Sequence, residues 1–214
     1  MNCIGSGYGG PVSADPFAYD RFFVEQLFRP IVNLYQVTPL AAGETPAGGP
    51  IAYVRQKRMA IKEDVRFYAD EEETQELFRI KARRMIDIGG SYDVTAAGGQ
   101  KIGVLQKVFG RSLFRSTWRI LGPDDQELAT AQERSQFLAI ARRVIDYVPY
   151  VGEYIPIPYN FEINDPEGKR IGGMDRKFQI RDKYVLDLSD DHEHRVDRRL
   201  AVALAVGLDT LQNR

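Results

Sequence analysis

Residues 92–109 read YDVTAAGGQKIGVLQKVF, and the same pattern returns in residues 118–135, WRILGPDDQELATAQERS, and in residues 161–178, FEINDPEGKRIGGMDRKF. Each copy opens with an aromatic residue, has a β-branched residue two positions later, and passes through a turn rich in Gly, Asp or Pro. It then resumes with an aliphatic residue followed by Gly or Ala. Strand-like runs on both sides of a short polar turn predict a β-hairpin in each copy. The tiny residue predicts a bend or a close approach of two backbones.

Other β-rich segments surround this repeat. Residues 35–55 form a fourth, looser copy, and residues 22–28 are compatible with a short helix or a first strand. Residues 78–83 alternate apolar and basic side chains, the period of two that a strand with one buried face shows. Hairpins in series without βαβ alternation predict an antiparallel sheet, which must close on itself or be covered.

The chain ends in a predicted helix, residues 197–212, that is apolar on every side from Leu200 to Leu208. Such a helix is buried all round or lies in lipid. Nine residues rise only about 13.5 Å, against the roughly 30 Å of a bilayer's hydrocarbon core, so burial in protein is favoured. We therefore predict a mainly β fold in which an antiparallel sheet wraps around one central helix.

The amino-acid composition excludes several kinds of metal and catalytic site. The chain has 214 residues, of which 43% are hydrophobic and 28% charged, as in a soluble globular protein of one ordinary domain. One Cys and two His exclude a disulfide framework and a cysteine-built or multi-histidine metal centre. No carboxylate pair stands out by its spacing as an acid–base pair. We predict a protein that is not an enzyme and that has no cofactor.

We predict a flexible N-terminal tail over residues 1–20 and a single barrel domain over residues 21–214, with a helical insertion at residues 136–157. The first residues lack the basic start and apolar core of a secretory signal, so we predict a cytoplasmic protein, with peripheral membrane association as a second interpretation. A net charge of −1 gives no overall attraction to nucleic acid, which we do not expect as a partner.

Two parts of the chain resemble a known family. Residues 91–94 (SYDV) with 98–103 (GGQKIG), and residues 183–187 (KYVLD) with 197–203 (DRRLAVA), are similar to the LURP-one-related family. That family belongs to the tubby C-terminal-like superfamily, together with the phospholipid scramblases. The resemblance implies a twelve-stranded antiparallel barrel that encloses a hydrophobic C-terminal helix. It also implies candidate activities, namely phosphoinositide binding as in tubby-like members and the calcium-linked lipid roles of scramblases.

Basic side chains are the candidate lipid-binding residues. A strand face with converging cations is suited to a phosphate headgroup, whereas a solvated face balanced by the acidic residues 70–73 is the plain alternative. A second basic pair lies on the polar side of an amphipathic pattern in the insertion. The candidates are Arg79, Lys81, Arg83, Arg84, Arg142 and Arg143.

The segment 137–159, which begins with Phe137 and ends with Tyr159, is unusually apolar and aromatic for a connection. It is predicted either to meet a membrane surface or a protein partner's groove, or to pack on the barrel end as a lid. Our leading hypothesis is a tubby-like barrel that binds anionic phospholipid or phosphoinositide. The alternatives are a soluble protein-interaction or regulatory module and scramblase-like lipid transfer.

Both histidines, His192 and His194, lie in residues 189–194, SDDHEH, just before the last helix. Together with neighbouring carboxylates they would be the ligands of a metal site. The pattern of a calcium loop fails, because the required Gly is missing. We therefore predict no metal site and interpret the segment as an acidic turn that caps the helix N-terminus.

Overall fold

The structure, a computed structural model, describes residues 15–28, 32–57, 64–83, 90–108, 116–134, 160–177 and 183–212. Within them the chain forms twelve β-strands, one short 3₁₀ turn (Ala42–Glu44) and one α-helix, α1 (Arg198–Gln212). The strands are β1 (Arg21–Phe28), β2 (Val32–Pro39), β3 (Ala52–Lys57), β4 (Asp64–Tyr68), β5 (Glu76–Ala82), β6 (Ser91–Ala96), β7 (Lys101–Val108), β8 (Thr117–Leu121), β9 (Glu127–Glu133), β10 (Phe161–Asn164), β11 (Arg170–Lys177) and β12 (Lys183–Asp187).

The twelve strands close into one barrel, in which every strand pairs antiparallel with its neighbours in the chain. The closure is made by β1 and β12, where Phe23 lies opposite Val185. Because a closed barrel has no unpaired edge, every strand is protected from pairing with another chain. The mainly β, twelve-stranded antiparallel fold predicted above is confirmed.

Helix α1 occupies the centre of the barrel. It packs against β1, β5, β7 and β12, which belong to different sides of the wall. Every residue from Leu200 to Leu208 is buried. A helix that is apolar all round needs apolar surroundings on every side, and the inward faces of the strands provide them. No helix in the described part of the chain has the length and apolar composition to cross a membrane.

The three predicted hairpins are β6–β7, β8–β9 and β10–β11, and all three contain a β-bulge at the same place. The register shifts directly after Val94, Ile120 and Ile163. A bulge bends its strand and increases its twist, which helps the sheet to close into a barrel. The extra residue of each bulge is the aliphatic one that precedes the tiny one, namely Ile102, Leu128 and Ile171.

The hairpin β4–β5 also contains a β-bulge, although its sequence does not match the pattern of the three repeat copies. Phe67 pairs with Phe78, the register then shifts, and Leu77 is the extra residue. Phe78 stands where the other copies have Gly or Ala, and its ring stacks on that of Phe67 at a centroid distance of 4.1 Å. By contrast, the looser copy over residues 35–55 forms the hairpin β2–β3, whose register runs without a shift.

The tiny residues of the repeat mark close approaches, as predicted. A Cβ atom placed on Gly103 would lie 2.4 Å from the carbonyl oxygen of Leu121 and 2.7 Å from a methyl carbon of Leu200. A Cβ atom on Gly172 would lie 2.4 Å from the carbonyl oxygen of Asp187. Gly103 therefore allows β7 to approach both its neighbouring strand and α1.

Gly103→Ala should lower the free energy of unfolding by about 1–3 kcal/mol, the usual effect of overpacking, because the backbone carbonyl of Leu121 cannot move aside like a flexible side chain. Urea denaturation measures this. Gly98→Ala is the matched control, since a Cβ there meets no atom within 4 Å. Equal stability of the two variants would contradict the close packing of β7.

The core also includes a residue from the predicted N-terminal tail. Phe17 is only 5% exposed, and its ring meets that of Phe78 edge-on at a centroid distance of 5.6 Å. The barrel domain therefore extends at least to Phe17, four residues before the predicted boundary at residue 21. Residues 1–14 and the predicted helical insertion 136–157 lie outside the described residues, so both remain predictions.

Candidate functional site

The barrel has two ends, because its strands alternate in direction. The turn end carries the connections β2–β3, β4–β5, β6–β7, β8–β9 and β10–β11 and the segment between β12 and α1. The opposite end is called the far end below. Strands β5, β7 and β9 run toward the far end, so Lys81, Lys107 and Glu133 lie near it.

The basic residues of β5 lie on the outer face of the barrel. Phe78 and Ile80 point into the core, so the alternating residues Arg79 and Lys81 point outward. Arg83 follows directly after the strand. The predicted alternation of residues 78–83, with the basic side chains on one face of the strand, is confirmed for Arg79 and Lys81. The other candidates, Arg84, Arg142 and Arg143, lie outside the described residues, as does the whole segment 137–159.

Two of these cations already have acidic partners. Arg79 Nε lies 2.7 Å from Glu76 Oε1. Arg83 donates from Nε to Asp93 Oδ1 and from Nη2 to Asp125 Oδ1, each at 2.7 Å. The acidic residues come from the same strand, from β6 and from the β8–β9 turn. The acidic run 70–73, which the sequence suggested as the balancing charge, does not supply these partners.

The pairing of Arg83 with Asp125 is reflected in the pKa values of both groups. Hydrogen bonds from Arg83 and from Lys101, whose Nζ lies 3.0 Å from Asp125 Oδ2, hold the pKa of the Asp125 carboxyl below its usual value. Hydrogen bonds to Asp93 and Asp125 raise the pKa of the Arg83 guanidinium. An incoming phosphate would therefore compete with two carboxylates for Arg83.

Lys81 differs from its neighbours on this face. It is exposed and makes no ion pair with any residue that the structure describes. Its Cα partners are Asp64 on β4 and Asp93 on β6, whose carboxylates bind Arg66 and Arg83 instead. Lys81 is thus the one cation of the described β5 face that a ligand reaches without displacing a carboxylate.

The turn end holds a buried ion-pair cluster around Arg198, the first residue of α1. Arg198 is 5% exposed, and its Nη1 lies 2.6 Å from Asp191 Oδ2. Its Nε donates to Asp20 Oδ1 at 3.0 Å. Asp191 also accepts hydrogen bonds from the backbone N–H groups of Arg195 and Val196. The cluster joins α1 to the residue before β1 and to the segment after β12.

Sequence reasoning missed this cluster, although one signal was present. A cation in the first turn of a helix is disfavoured by the helix dipole. An Arg at that position, in front of an apolar helix, therefore indicates a specific acidic partner. Both histidines of the segment 189–194 are exposed. The prediction that this segment caps the helix is wrong in its residue, because Asp197 caps α1 by accepting from the N–H of Arg199 at 2.9 Å, whereas Asp191 is buried against Arg198. Within the described residues, no group of three His, Cys, Asp or Glu side chains is arranged to hold a metal ion.

At the far end, polar groups occur on the inner face of the barrel. Trp118 is 1% exposed, and its indole Nε1 has no hydrogen-bond partner among the residues that the structure describes. Lys107 is its Cα partner on β7, and the Lys107 Nζ lies 5.9 Å from the centre of the Trp118 ring. Glu133, at the end of β9, is 2% exposed. Sequence reasoning did not single out any of these three residues as site residues.

A family model described as LURP-one-related matches residues 51–209, about three quarters of the chain. The chain belongs to the LURP-one-related family. The match covers the strands β3 to β12 and most of α1. It therefore includes all four bulged hairpins in the described part of this LURP-one-related barrel. A comparison with curated proteins gave no match.

Proposed function

We propose that this LURP-one-related chain is a non-enzymatic, tubby-like barrel domain that binds anionic phospholipid or phosphoinositide at a membrane surface through the outer face of β5. The observation that supports the proposal is Lys81, an exposed cation without an ion-pair partner among the described residues, flanked on the same face by Arg79 and Arg83. A barrel whose centre is filled by a helix has no wide internal ligand cavity, which favours a role for its surface.

The spacing of the cations suits this role. Alternate residues of a strand are about 6.6–6.8 Å apart, so the cations of β5 form a row of regular spacing. A row of this kind can meet neighbouring headgroups in one leaflet, and each cation near an anionic surface contributes about 1 kcal/mol. Arg84, Arg142 and Arg143 are proposed to extend the row, and the segment 137–159 to insert its aromatic side chains at the interface.

Lys81→Glu should weaken binding to anionic vesicles by roughly 30-fold at low salt, because it removes one favourable charge and adds an unfavourable one, about 2 kcal/mol together. Flotation with vesicles of phosphatidylcholine containing phosphatidylserine or a phosphoinositide measures the bound fraction. Binding of the unmodified protein should fall as salt is added, since screening weakens contacts between exposed charges.

Lys169→Glu is the matched control. Lys169 is exposed, lies in the β10–β11 turn at the turn end, and makes no ion pair with the described residues. The same change of charge there should leave flotation nearly unchanged. An equal loss in both variants would mean that only net charge matters, and no flotation of the unmodified protein at low salt would refute lipid binding.

A soluble protein-interaction or regulatory module is the second candidate. It is favoured by the ion pairs of Arg79 and Arg83, which leave the β5 face close to neutral. Capture of a stable partner that is lost when the aromatic residues of segment 137–159 are replaced, without any vesicle binding, would support this candidate. Scramblase-like lipid transfer is the third, and a lipid-translocation assay in vesicles containing the protein tests it.

A further inference from the structure

The turn between β8 and β9 carries an acidic residue at a backbone position that favours glycine. The three hairpin turns of the repeat share one hydrogen bond, in which the N–H of the fourth turn residue donates to the carbonyl oxygen of the first. That fourth residue is Gly99, Asp125 or Gly168, and its φ angle is 83°, 60° or 84° respectively. Because this left-handed backbone suits glycine better than a residue with a side chain, Asp125 indicates a role for its carboxylate.

The carboxylate of Asp125 binds two cations that come from different strands. Arg83, directly after β5, donates from Nη2 to Oδ1 at 2.7 Å, and Lys101, the first residue of β7, places its Nζ 3.0 Å from Oδ2. The side chains of Arg83 and Lys101 are 34% and 30% exposed, whereas that of Asp125 is 51% exposed. Two half-buried cations therefore converge on one exposed anion, with one cation at each oxygen.

A second carboxylate fixes the orientation of Arg83. Its Nε donates at 2.7 Å to Oδ1 of Asp93 on β6. Because Nε and Nη2 belong to one planar guanidinium, this bond keeps Nη2 directed at the position of Asp125 Oδ1 even after Asp125 has moved away. An exposed ion pair contributes little to stability, so another anion can displace Asp125 at a small cost.

The two cations define the kind of anion that fits in place of Asp125. Displacement of Asp125 leaves the Lys101 Nζ and the Arg83 Nη2 without an anionic partner among the described residues, and Lys81 lies near them on the same face. Such donors are best matched by an anion with several oxygens and more than one charge. A phosphomonoester carries about 1.5–2 negative charges at pH 7, whereas each phosphodiester carries about one.

We infer that Arg83 and Lys101 form a subsite for a phosphomonoester group, and that Asp125 occupies this subsite in the free protein as an internal competitor. The inference rests on the proposed binding of anionic lipid by the β5 face, and it extends that face to Lys101 on β7. The phosphomonoester, on a lipid headgroup or on a soluble molecule, takes the place of the carboxylate. Ligand binding and the contacts of Asp125 with the two cations therefore exclude each other.

Asp125→Asn should tighten the binding of glycerol 3-phosphate, a soluble phosphomonoester, by about 5-fold or more, the factor that corresponds to loss of one competing exposed ion pair. Asp125→Gly should do the same, and it preserves the turn because Gly99 and Gly168 already hold this position in the other copies. Calorimetric titration at pH 7.5 and roughly 0.15 M salt gives the affinities. Unchanged affinity in both variants would overturn the role of Asp125.

Asp124→Asn is the closest comparison, since it removes the same charge from the same turn. Asp124 is exposed and makes no ion pair with Arg83 or Lys101. Because salt screens exposed charges that are not in direct contact, this variant should bind glycerol 3-phosphate within about 2-fold of the unmodified protein. An equal gain from Asp124→Asn and Asp125→Asn would mean that the turn acts only through its total charge, and would overturn the subsite.

Lys101→Met tests the second cation. Combined with Asp125→Gly, it should abolish the gain in affinity for glycerol 3-phosphate. Lys177→Met, combined in the same way, should leave the gain intact, because Lys177 also has one carboxylate partner, Glu44 at 2.8 Å, but lies on β11 at another side of the barrel. Loss of the gain in both double variants, or in neither, would contradict the assignment of Lys101.

Vesicles distinguish a lipid ligand from a soluble one. For a lipid ligand, Asp125→Asn should increase flotation with phosphatidate, a phosphomonoester, more than with phosphatidylserine, a phosphodiester. Binding of glycerol 3-phosphate without any flotation would support the subsite for a soluble phosphomonoester and refute the membrane role of the β5 face. Flotation that is weakened by Lys81→Glu but unaffected by Asp125→Asn would support the membrane role and overturn the subsite, so the two failures are distinguishable.

Discussion

Val206→Asp should yield no soluble, folded protein. Val206 is fully buried in the middle of α1, where the barrel wall surrounds the helix. A carboxylate there would lie in the hydrophobic core, and even after it becomes protonated the buried group costs several kcal/mol. Because a typical domain is stable by only about 5–15 kcal/mol, that loss removes most of the folding free energy. Soluble yield and the presence of a cooperative thermal transition measure the effect.

Val108→Asp is the matched control for this substitution. Val108 ends β7 at the far end and is 37% exposed. The same exchange of Val for Asp should change the free energy of unfolding by no more than about 0.5 kcal/mol, as is usual for surface positions. A normal yield and a normal melting transition for Val206→Asp would show that α1 does not lie inside the barrel.

Arg198→Ala should lower the free energy of unfolding by about 3–5 kcal/mol, the range expected when one partner of a buried ion pair is removed. The Asp191 carboxylate would then remain buried at the turn end without its guanidinium. Arg198 also donates to the Val196 carbonyl and to Asp20, so the contacts that join α1 to the segment after β12 and to the residue before β1 would be lost together. Urea denaturation at neutral pH gives the value.

Arg199→Ala is the control, since the neighbouring Arg199 also makes an ion pair, with Asp197 at 2.6 Å, but its side chain is 38% exposed. Exposed pairs contribute at most about 1 kcal/mol, so this variant should be nearly as stable as the unmodified protein. Added salt should hardly alter the difference between the two variants, because buried pairs are poorly screened. Equal destabilisation by both substitutions would contradict the role assigned to the Arg198 cluster.

Sequence patterns were informative wherever the structure depends on local chemistry. The period-two pattern of residues 78–83 placed Arg79 and Lys81 outward because a strand sends successive side chains to opposite faces. The aliphatic-then-tiny dipeptide of the repeat marked a bulge in three hairpins. The β-bulge of β4–β5 was missed, because Phe78 stands there in place of the tiny residue. The packing of the Phe78 ring on Phe67 involves another strand and cannot be read from the local sequence.

The candidate sites depend on contacts between residues that are far apart in the sequence, more than on local patterns. Arg83 and Asp125 are 42 residues apart, and Arg198 and Asp20 are 178 apart, yet both pairs make direct hydrogen bonds. The sequence does not identify the acidic partner in either pair, since each pairing requires a particular order and register of strands. The sequence also does not show that the indole N–H of Trp118 is buried without a partner among the described residues, because this depends on the tertiary surroundings of the ring.

Alternation, turn residues and an all-apolar helix were thus sufficient for the class of fold, because they reflect the geometry of single strands and helices. Which charges meet and which stay free was decided by closure of the barrel, which brings Asp93 and Asp125 to Arg83 and leaves Lys81 unpaired among the described residues. The physical reason is that ion pairs act over a few ångströms, and distances of that size between remote residues exist only after the sheet has closed around α1.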